Sequence, residues 1–596
     1  MIKDTSMATD DGLQLNLPEQ DLSRLSLGSD NPKKLQAWVD ALPPLNLGES
    51  ARQLYQYLQE LNRLKLDFQK RLPLLEIIFP AIDHVCRGLG KHYLGQPLVL
   101  PEKARKVAAL AQALQGHLAN GYKLVAVQGL NKLNDRDVRQ QVTLACYRAI
   151  NALTNALVRC YQLYFPLPAK LWLEIHQLYL LAERHQLLDR QATQTEAGTP
   201  RKAYIGTLLL ASARPNQLRQ QETALIQQAC GEWGAWVDVH MDQQREDLFA
   251  VDLNEDRGPQ YGSQLTSTNA ACRFIDTRQL VQRLSLRPEV AGLSLPKGMS
   301  ASLLMHLRQA WGSLAERSFR RIGQDGHLEL CMGLATVHYF LAGNQSFHHF
   351  MQAGNPQTLG LDGGNSNLFL NQQKSRNGTA VDDPWGQAYA PGAAIQGDFI
   401  DFSGIKSSLL QHDDDSSTPF DAHRVTKINA SPGGYCLNWP GDTPLQLRAG
   451  ELIALRDGHP EWAVGVIRWV RQLTSGGAEF GVEVMAPRAQ PCGARPLRKT
   501  GEDANFLRAL MLPALQAVGQ PMTLLLPTVG FQVGQKVELA QNGEHSRLIL
   551  TRQLSGTASY NLYMFRDATP EAEAPAANRD KTDDNKGQFD SIWSNL

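Results

Sequence analysis

The spacing of apolar residues changes along this chain from a helical to a strand-like period. Between Glu49 and about Arg190, apolar side chains recur every three or four residues, as in Leu54 to Leu64, which is typical of amphipathic helices. After Arg424, short runs with a period of two are separated by turn residues, which predicts antiparallel strands. A length of 596 residues corresponds to about four domains. We therefore predict a multidomain α+β protein with an all-helical N-terminal half.

The first 300 residues divide into three predicted parts. Residues 1–30 are polar and are expected to be flexible, residues 31–200 form a helical domain, and residues 201–300 form a mixed α/β module. The segment Lys170–Glu183 looks like a helix of a tetratricopeptide-type hairpin, although no repeat has a fixed period. We interpret the helical domain as a surface for protein contacts. A plain helical bundle without a partner groove is the alternative.

Residues 301–490 are predicted to form a small antiparallel β-barrel. A helix from Ala301 to about Arg317 precedes a strand candidate from His327 to Leu341. Residues 343–423 are rich in Gly, Asn, Gln, Asp and Ser without periodicity, and we expect a mostly disordered insertion there. Five further strands are predicted after the insertion: Arg424–Ile428, Tyr435–Trp439, Glu451–Arg456, Trp462–Val470 and Ala478–Met485.

The C-terminal part, residues 500–566, is predicted to be a small β-rich domain. A helix over Asn505–Val518 is expected to precede its strands. The predicted strands are Met522–Leu526, Lys536–Leu539, Arg547–Thr551 and Ser559–Phe565. Residues 567–596 are rich in Ala, Glu, Asp and Asn, and we expect them to form a flexible tail.

Charge and cysteine content argue against several classes of protein. Lys plus Arg and Asp plus Glu both total 59, so the chain lacks the basic surplus that non-specific binding to DNA or RNA requires. Its eight cysteines include no C-x-x-C pair, which indicates buried reduced thiols rather than disulfides or zinc ligands. The N-terminus lacks the apolar run of a secretory signal, and no stretch approaches the ~20 apolar residues of a membrane span. We expect a cytoplasmic protein that neither binds DNA nor spans a membrane.

Two short polar motifs lie on either side of the predicted insertion. The first is an R-x-x-x-R cluster between the predicted helix and the first strand: Arg317, Arg320 and Arg321. The second is the turn between the next two strands: Asn429, Ser431, Gly433 and Gly434. A planar guanidinium presents a rigid donor fork that fits a phosphate or the O6/N7 edge of guanine. Asn and Ser add short-range hydrogen bonds, and paired glycines allow a ligand to approach the backbone closely.

These residue types together fit the recognition of a dianionic nucleotide. Charge-assisted hydrogen bonds contribute roughly 1.5–3 kcal/mol each, so three or four of them suffice for micromolar affinity. Each motif alone is weakly specific, because R-x-x-x-R also occurs at Arg283 and Arg287. The alternative is an exposed basic helix end whose cations oppose the helix dipole. The order of the two motifs around barrel strands favours the ligand site.

The segment from Ala315 to Pro487, without the insertion, resembles the PilZ domain, a bacterial receptor for cyclic di-GMP. In that family an R-x-x-x-R loop precedes a six-stranded barrel bearing a [D/N]-x-S-x-x-G turn. Arg317 and Arg321 match the two arginine positions, and the second motif matches the turn. The long insertion departs from the family pattern, since the motifs lie more than a hundred residues apart here. If the insertion loops out between strands, the barrel is unharmed, because loop-closure cost grows only logarithmically with length.

The resemblance implies a non-enzymatic effector that binds cyclic di-GMP at both motifs and has no cofactor. It further implies an output in surface attachment, in pilus-driven or flagellar motility, or in biofilm control. The helical N-terminal half would contact a protein partner such as pilus, flagellar or other surface machinery. The alternative is a helical-repeat adaptor whose degenerate PilZ barrel does not bind nucleotide.

Enzyme signatures are weaker than the ligand-binding motifs. Gly476–Phe480 reads Gly-Gly-Ala-Glu-Phe, which nearly matches the GGDEF motif of diguanylate cyclases, but its third residue is Ala rather than the acid that a metal requires. We interpret this segment as a barrel hairpin. His348, His349 and the His412-Asp-Asp-Asp run contain metal-ligating residue types, but both lie in the predicted insertion without rigid support. A metal-dependent enzyme is therefore the third hypothesis.

Overall fold

The computed structural model describes most of the chain outside the insertion and the termini. The described residues are 12–44, 46–193, 198–244, 247–265, 268–286, 292–313, 322–323, 326–352, 420–431, 433–458, 460–473, 476–497, 504–514, 521–541 and 543–568. Residues 353–419 of the predicted insertion (343–423) and residues 569–596 of the predicted tail (567–596) lie outside this part of the chain. The prediction of disorder is wrong for the described ends of the insertion, because Phe347–Gln352 forms a helix with Phe347 buried and a strand begins at His423. The predicted tail likewise starts too early, since Asp567 ends the last strand.

Eight helices form the N-terminal region. They are α1 (Pro32–Asp40), α2 (Leu47–Arg63), α3 (Phe68–Gly90), α4 (Glu102–Gly129), α5 (Arg136–Leu163), α6 (Leu171–Arg184), α7 (Pro200–Ser212) and α8 (Gln220–Trp233). Asn31, Asp67 and Thr199 cap helices by accepting hydrogen bonds from backbone N–H groups of the first turn. The helices continue past the expected boundary at residue 200, because α7 and α8 pack on α5 and share its apolar core.

The expected flexible N-terminus is wrong for residues 12–30. Leu13 and Leu15 are only 1% exposed, and Leu17 packs against the helical core. Burial of these alternating leucines holds the segment on the helices although it forms no helix itself.

Among the described residues, a small sheet and two helices follow the helical region. The sheet contains β1 (Asp238–His240), β2 (Phe249–Asp252), β3 (Gln260–Tyr261) and β4 (Cys272–Asp276), and the helices are α9 (Arg278–Leu284) and α10 (Ala301–Gly312). The strands are antiparallel in the order β1-β4-β2-β3. Trp311 of α10 donates its indole N–H to the Leu209 carbonyl at 3.1 Å. The predicted mixed module therefore shares one core with the helices, since Ile275 and Trp311 belong to the same buried cluster as α7.

The middle β-barrel is a ring of six strands with a seventh short strand beside it. The elements are β5 (Ile322–Gly323), β6 (His327–Met332), α11 (Leu334–Leu341), α12 (Phe347–Gln352), β7 (His423–Ser431), β8 (Gly434–Trp439), β9 (Leu452–Arg456), β10 (Ala463–Gln472) and β11 (Ala478–Ala486). The order is β7-β6-β9-β10-β11-β8, and pairing of β8 with β7 closes the ring. All five strands predicted after the insertion are present.

The strand predicted from His327 to Leu341 is wrong in its second half. It ends at Met332, and α11 begins at Leu334. Gly333 lies between them with φ +85, a conformation that favours glycine and stops the strand. Alternating apolar residues before Gly333 and the continuous apolar run after it resemble one long strand in sequence, although only the first part pairs with neighbours.

The C-terminal region is a second closed barrel. Its strands are β12 (Gln490–Pro496), β13 (Leu507–Leu512), β14 (Thr523–Leu526), β15 (Lys536–Gln541), β16 (Glu544–Gly556) and β17 (Asn561–Asp567), in the order β12-β13-β14-β17-β16-β15. The helix predicted over Asn505–Val518 is wrong, because Leu507–Leu512 is a strand paired with β12 and β14. The barrel also begins earlier than the expected residue 500, with β12 at Gln490. No helix in the described ranges is long and apolar enough to cross a membrane.

A buried polar junction joins the helical region to both barrels. Arg219, at the start of α8, donates to the Ala449 carbonyl at 3.1 Å and to Ser559 Oγ at 2.6 Å. It also lies 3.4 Å from a carboxylate oxygen of Glu451, whose side chain is 3% exposed. Ser559 Oγ donates to the other carboxylate oxygen at 2.8 Å. One guanidinium thus bridges residues of the first barrel and the second barrel.

Replacing Arg219 with Ala is expected to lower the free energy of unfolding by about 1–3 kcal/mol, because it removes hydrogen bonds from a buried carboxylate and a buried carbonyl. Arg448→Ala is the matched control: Arg448 contacts the same carboxylate at 2.9 Å, but its side chain is 45% exposed. Its loss should cost less than about 1 kcal/mol. Chemical denaturation of the two variants measures the difference. Equal effects would show that the buried junction does not stabilise the arrangement of the three regions.

Candidate ligand-binding site

The hairpin between β7 and β8 carries the second polar motif. Ser431 pairs with Gly434, and Ser431 Oγ donates to the Gly434 carbonyl at 3.2 Å. The Gly433 carbonyl accepts a hydrogen bond from the backbone N–H of Val484 at 3.1 Å. The turn is therefore held both within itself and to the end of β11, which gives the motif the rigid support that a binding site needs.

Gly434 occupies a position where no side chain fits. A Cβ at this residue would lie 1.9 Å from the backbone oxygen of Val482 in β11. From the sequence, the paired glycines were expected to allow close approach of a ligand to the backbone. In the structure, Gly434 has to be glycine for a different reason: the backbone of β11 approaches it too closely for a side chain.

Asn429 has an unsatisfied side-chain oxygen. A register shift between Lys427 and Asn429 marks a bulge in β7, after which Asn429 pairs with Cys436. Asn429 Oδ1 is buried and has no hydrogen-bond partner among the described residues. Buried polar atoms are nearly always hydrogen-bonded, so an unpaired amide oxygen in a turn motif indicates a place for a ligand donor.

The short strand β5, which directly follows the arginine cluster in sequence, pairs with the part of β7 that contains Asn429. Arg317, Arg320 and Arg321 lie outside the described residues. Ile322, which follows them in sequence, pairs with Ala430, and Gly323 pairs with Asn429. The two residues that directly follow the arginine cluster in sequence are thus paired with two residues of the turn motif, although more than a hundred residues separate them in the chain.

A row of residues crosses the barrel surface from Asn429. The register aligns Asn429 with Cys436 of β8, Cys436 with Gly481 of β11, and Gly481 with Trp469 of β10. A Cβ at Gly481 would lie 2.0 Å from Trp469 Nε1, so the indole lies over this glycine. Three strand spacings separate the Cα atoms of Asn429 and Trp469, about 14 Å. The partly exposed Trp469 ring is therefore in the same row of residues as Asn429, with Cys436 and Gly481 between them.

Trp469 was not among the residues predicted to bind the ligand. Its sequence signal is the Arg468-Trp-Val-Arg471 pattern, which places cations on either side of an aromatic residue in a strand. In the structure Arg471 lies 5.9 Å from the centre of the Trp469 ring. The sequence does not reveal the register between strands, which is what places this ring in the same row as Asn429.

Three cations of β7 and β10 are paired with carboxylates. Arg468 contacts Glu483 at 2.6 Å, and Arg471 Nε contacts Glu479 at 2.7 Å. Lys427 is only 7% exposed and contacts Asp457 at 2.9 Å. Burial raises the pKa of Tyr435, and the negative charge of Asp457 raises that pKa further. The two charges within each pair neutralise each other, so other cations have to supply the positive charge that binds a phosphate.

The other chemical hypotheses receive no support from the described residues. Gly476 and Gly477 form the turn before β11, so the GGDEF-like segment is a barrel hairpin as predicted. His348 and His349 lie on α12, and no group of three or more His, Cys, Asp or Glu residues able to hold a metal occurs within the described ranges. Cys331 is buried, and burial raises the pKa of its thiol to about 12, consistent with an inert core cysteine.

Comparison with known proteins identifies three consecutive family domains. Residues 33–244 match the model "Cyclic-di-GMP receptor FimW, N-terminal domain", residues 248–491 match "Cyclic-di-GMP receptor FimW, middle PilZ domain", and residues 492–568 match "FimW C-terminal beta-barrel domain". The cyclic-di-GMP receptor FimW of Pseudomonas aeruginosa is 37% identical over 616 aligned positions, which cover 98% of this chain and 99% of the relative. No solved structure matches the chain. The resemblance to the PilZ domain is therefore confirmed, and the chain belongs to the FimW family of PilZ-domain receptors.

Proposed function

We propose that this protein binds cyclic di-GMP at the β7–β8 hairpin and the arginine segment. The name of the relative supports the identity of the ligand. The observation that carries the placement is the pairing of Ile322 and Gly323 with Ala430 and Asn429, next to the unsatisfied Asn429 Oδ1. Arg317, Arg320 and Arg321 would bind the phosphates or the guanine edges. Asn429 and Ser431 would bind from the turn, and Gly433 and Gly434 would keep it rigid.

Isothermal titration with cyclic di-GMP tests this function directly. Three or four charge-assisted hydrogen bonds predict a micromolar dissociation constant, near −8 kcal/mol. The linear dinucleotide is the control ligand, because it carries the same bases without the cyclic arrangement of phosphates. If the folded wild-type protein bound neither ligand, the proposed function would be wrong. The adaptor hypothesis, in which the barrel does not bind nucleotide, would then be the one that remains.

Trp469 is expected to stack on one guanine of the ligand. Its ring is partly exposed and lies over Gly481, in the same row as the polar turn. Stacking of a base on an aromatic ring contributes roughly 1–3 kcal/mol, so Trp469→Ala should weaken binding about tenfold or more, whereas Trp469→Phe should retain most of it. Titration of both variants measures this.

Trp236→Ala is the matched control for that prediction. Trp236 is also partly exposed and also contacts an arginine, with Arg283 lying 3.3 Å from its ring centre, but it lies in the helical region. We expect unchanged affinity for this variant. Equal losses in the Trp236 and Trp469 variants would mean that the effect is one of folding rather than of stacking.

We further propose that the protein is not an enzyme, and that binding of the ligand to the middle barrel changes the arrangement of the helical region. Strand β10, which carries Trp469, is connected to that region at its C-terminal end and, through Glu451, near its middle. Gln472 donates its backbone N–H to the Tyr164 carbonyl and its side-chain amide to the Leu98 carbonyl, each at 3.0 Å. Near the middle of the strand, the backbone N–H of Ile467 donates to the carbonyl of Glu451, whose carboxylate Arg219 contacts.

This arrangement supports an effector whose helical region contacts a protein partner. Ligand that binds one arrangement of the regions more tightly would shift the population toward it. We place the protein in the cytoplasm and assign it to surface attachment, motility or biofilm control. Capture of partners with and without cyclic di-GMP tests the output. The same set of partners in both states would contradict control by the ligand.

A further inference from the structure

Two side chains of the helical region belong to the core of the middle barrel. Leu98, in the connection between α3 and α4, and Tyr164, which follows α5, are 7% and 6% exposed. Both belong to the buried cluster that contains Val470 of β10 and Phe480 of β11, whereas the helices pack around a separate cluster. The core of the middle barrel is therefore completed by residues from another region.

Hydrogen bonds attach these two residues to one end of β10. Gln472, the last residue of β10, donates its backbone N–H to the Tyr164 carbonyl and its side-chain amide to the Leu98 carbonyl, each at 3.0 Å. The backbone N–H of Val99 donates to Thr443 Oγ1 at 2.9 Å, and Thr443 is buried. We call Leu98, Val99 and Tyr164 the barrel cap.

Tyr164 reaches the barrel through an unusual backbone conformation. It ends α5 with φ +55 and ψ +28, in the left-handed region that is usually occupied by glycine at helix ends. A bulky residue is unfavourable there and persists only where the surrounding contacts hold it. The Tyr164 ring makes such contacts, because it is buried in the barrel core and its hydroxyl donates to the Leu218 carbonyl at 2.7 Å. Burial of the ring in the barrel thus compensates for the cost of a tyrosine at this position.

The second half of β10 needs an anchor because the pairing of the strand is interrupted. A register shift between Ile467 and Trp469 separates this half from the first half. A slip by one residue turns every side chain to the other face of a sheet, so it would exchange the partly exposed Trp469 with the buried Val470. The barrel cap opposes such a slip in two ways, since it packs in the same cluster as Val470 and binds Gln472.

We propose that the residues of the barrel cap are positioning residues for the ligand site, and that they hold the second half of β10 in the register that presents Trp469 to the nucleotide. This inference rests on the proposed function, in which Trp469 stacks on a guanine. Tyr164 then acts through Trp469 and not on the ligand itself. The ligand site is therefore not completed by the middle barrel alone, because residues of the helical region determine where its aromatic ring lies.

Tyr164→Gly tests the inference, because glycine suits the left-handed end of α5 and only the ring is removed. Isothermal titration should show cyclic di-GMP binding about tenfold more weakly to this variant, similar to the loss expected when the Trp469 ring itself is removed. Tyr164→Phe keeps the ring and should retain most of the affinity. Tyr57→Ala is the control, since it removes a fully buried tyrosine ring from the core of the helices, and it should leave the affinity unchanged. Equal losses in the Tyr57 and Tyr164 variants would overturn the proposal.

A double-mutant cycle separates positioning of Trp469 from a general effect on the barrel. If the cap acts through Trp469, the combination of Tyr164→Gly with Trp469→Ala should bind cyclic di-GMP as weakly as Trp469→Ala alone. Losses that add in full would show that Tyr164 affects binding by another route, and would contradict the proposal.

Hydrogen exchange of the unliganded protein tests the cap independently of the ligand. The amides of residues 469–472 should exchange about tenfold faster or more in Tyr164→Gly than in wild type, while those of residues 464–467 stay unchanged. Unchanged exchange of residues 469–472 would show that the cap does not hold β10, even if cyclic di-GMP binds to the wild type. A wild type that binds no cyclic di-GMP would instead contradict the proposed function, and faster exchange in the variant would still show that the cap holds the strand.

Discussion

Replacing Arg317 and Arg321 together with Ala is expected to weaken the binding of cyclic di-GMP by roughly a hundredfold or more. Two charge-assisted hydrogen bonds are lost, each contributing roughly 1.5–3 kcal/mol, and tenfold in affinity corresponds to about 1.4 kcal/mol. The effect should be large because Lys427, Arg468 and Arg471 are already paired with carboxylates. Lys427 contacts Asp457 and Arg468 contacts Glu483, at 2.9 Å and 2.6 Å. Neither can turn to a phosphate without giving up a carboxylate.

A charge-matched control separates a specific site from general attraction of an anion. Arg424→Ala/Arg552→Ala removes two positive charges from exposed positions on β7 and β16. Long-range attraction falls off over about 10 Å at 0.1 M salt, so this variant should bind within about twofold of wild type. Titration of both variants under the same salt conditions is the measurement. Similar losses in both would mean that the arginine segment contributes only net charge.

The barrel strands were predictable because their signals are local. Alternating apolar residues with turn residues between them predicted β8 and β9 closely, whereas Asn429 and Ser431, which were predicted to lie in the turn, belong to the end of β7. Local signals failed where the same residues suit two structures. Leu507–Leu512 is apolar except for Arg508, which suits a buried helix as well as a strand paired on both sides. The segment is a strand because β12 and β14 pair with it on both sides in the closed barrel.

The candidate site was predictable as two motifs but not as a surface. Sequence order alone suggested that the arginine segment and the turn approach each other, and the pairing of Ile322 with Ala430 supports this. Trp469 was not predictable, because a bulge between Ile467 and Trp469 changes which side chains of β10 align with Gly481. Arg219 is a similar case, since its partners Glu451 and Ser559 are far away in sequence. Such contacts depend on long-range register and on the arrangement of domains.

Replacing Gly434 with Ala is expected to destabilise the middle barrel by roughly 3 kcal/mol or more and to abolish ligand binding. The new methyl group would lie 1.9 Å from the Val482 oxygen, which is backbone and cannot rotate away. Either β8 or β11 has to move. Gly434 pairs with Glu483, and Gly433 is held by Val484, so movement of either strand displaces the turn that carries Ser431. The substitution therefore affects stability and the ligand site through one contact.

Gly458→Ala in the same barrel distinguishes this steric effect from the general cost of replacing a turn glycine. Gly458 has φ +71, but a Cβ there would meet nothing within 4 Å. Its replacement should cost about 1–2 kcal/mol, from the left-handed backbone alone, and should leave the hairpin intact. Hydrogen exchange of β8 and β11, measured with cyclic di-GMP titration, compares the two variants. If Gly434→Ala bound the ligand as Gly458→Ala does, the hairpin would tolerate a shift against β11. Rigid attachment of the turn would then not be what positions Asn429 and Ser431 for the nucleotide.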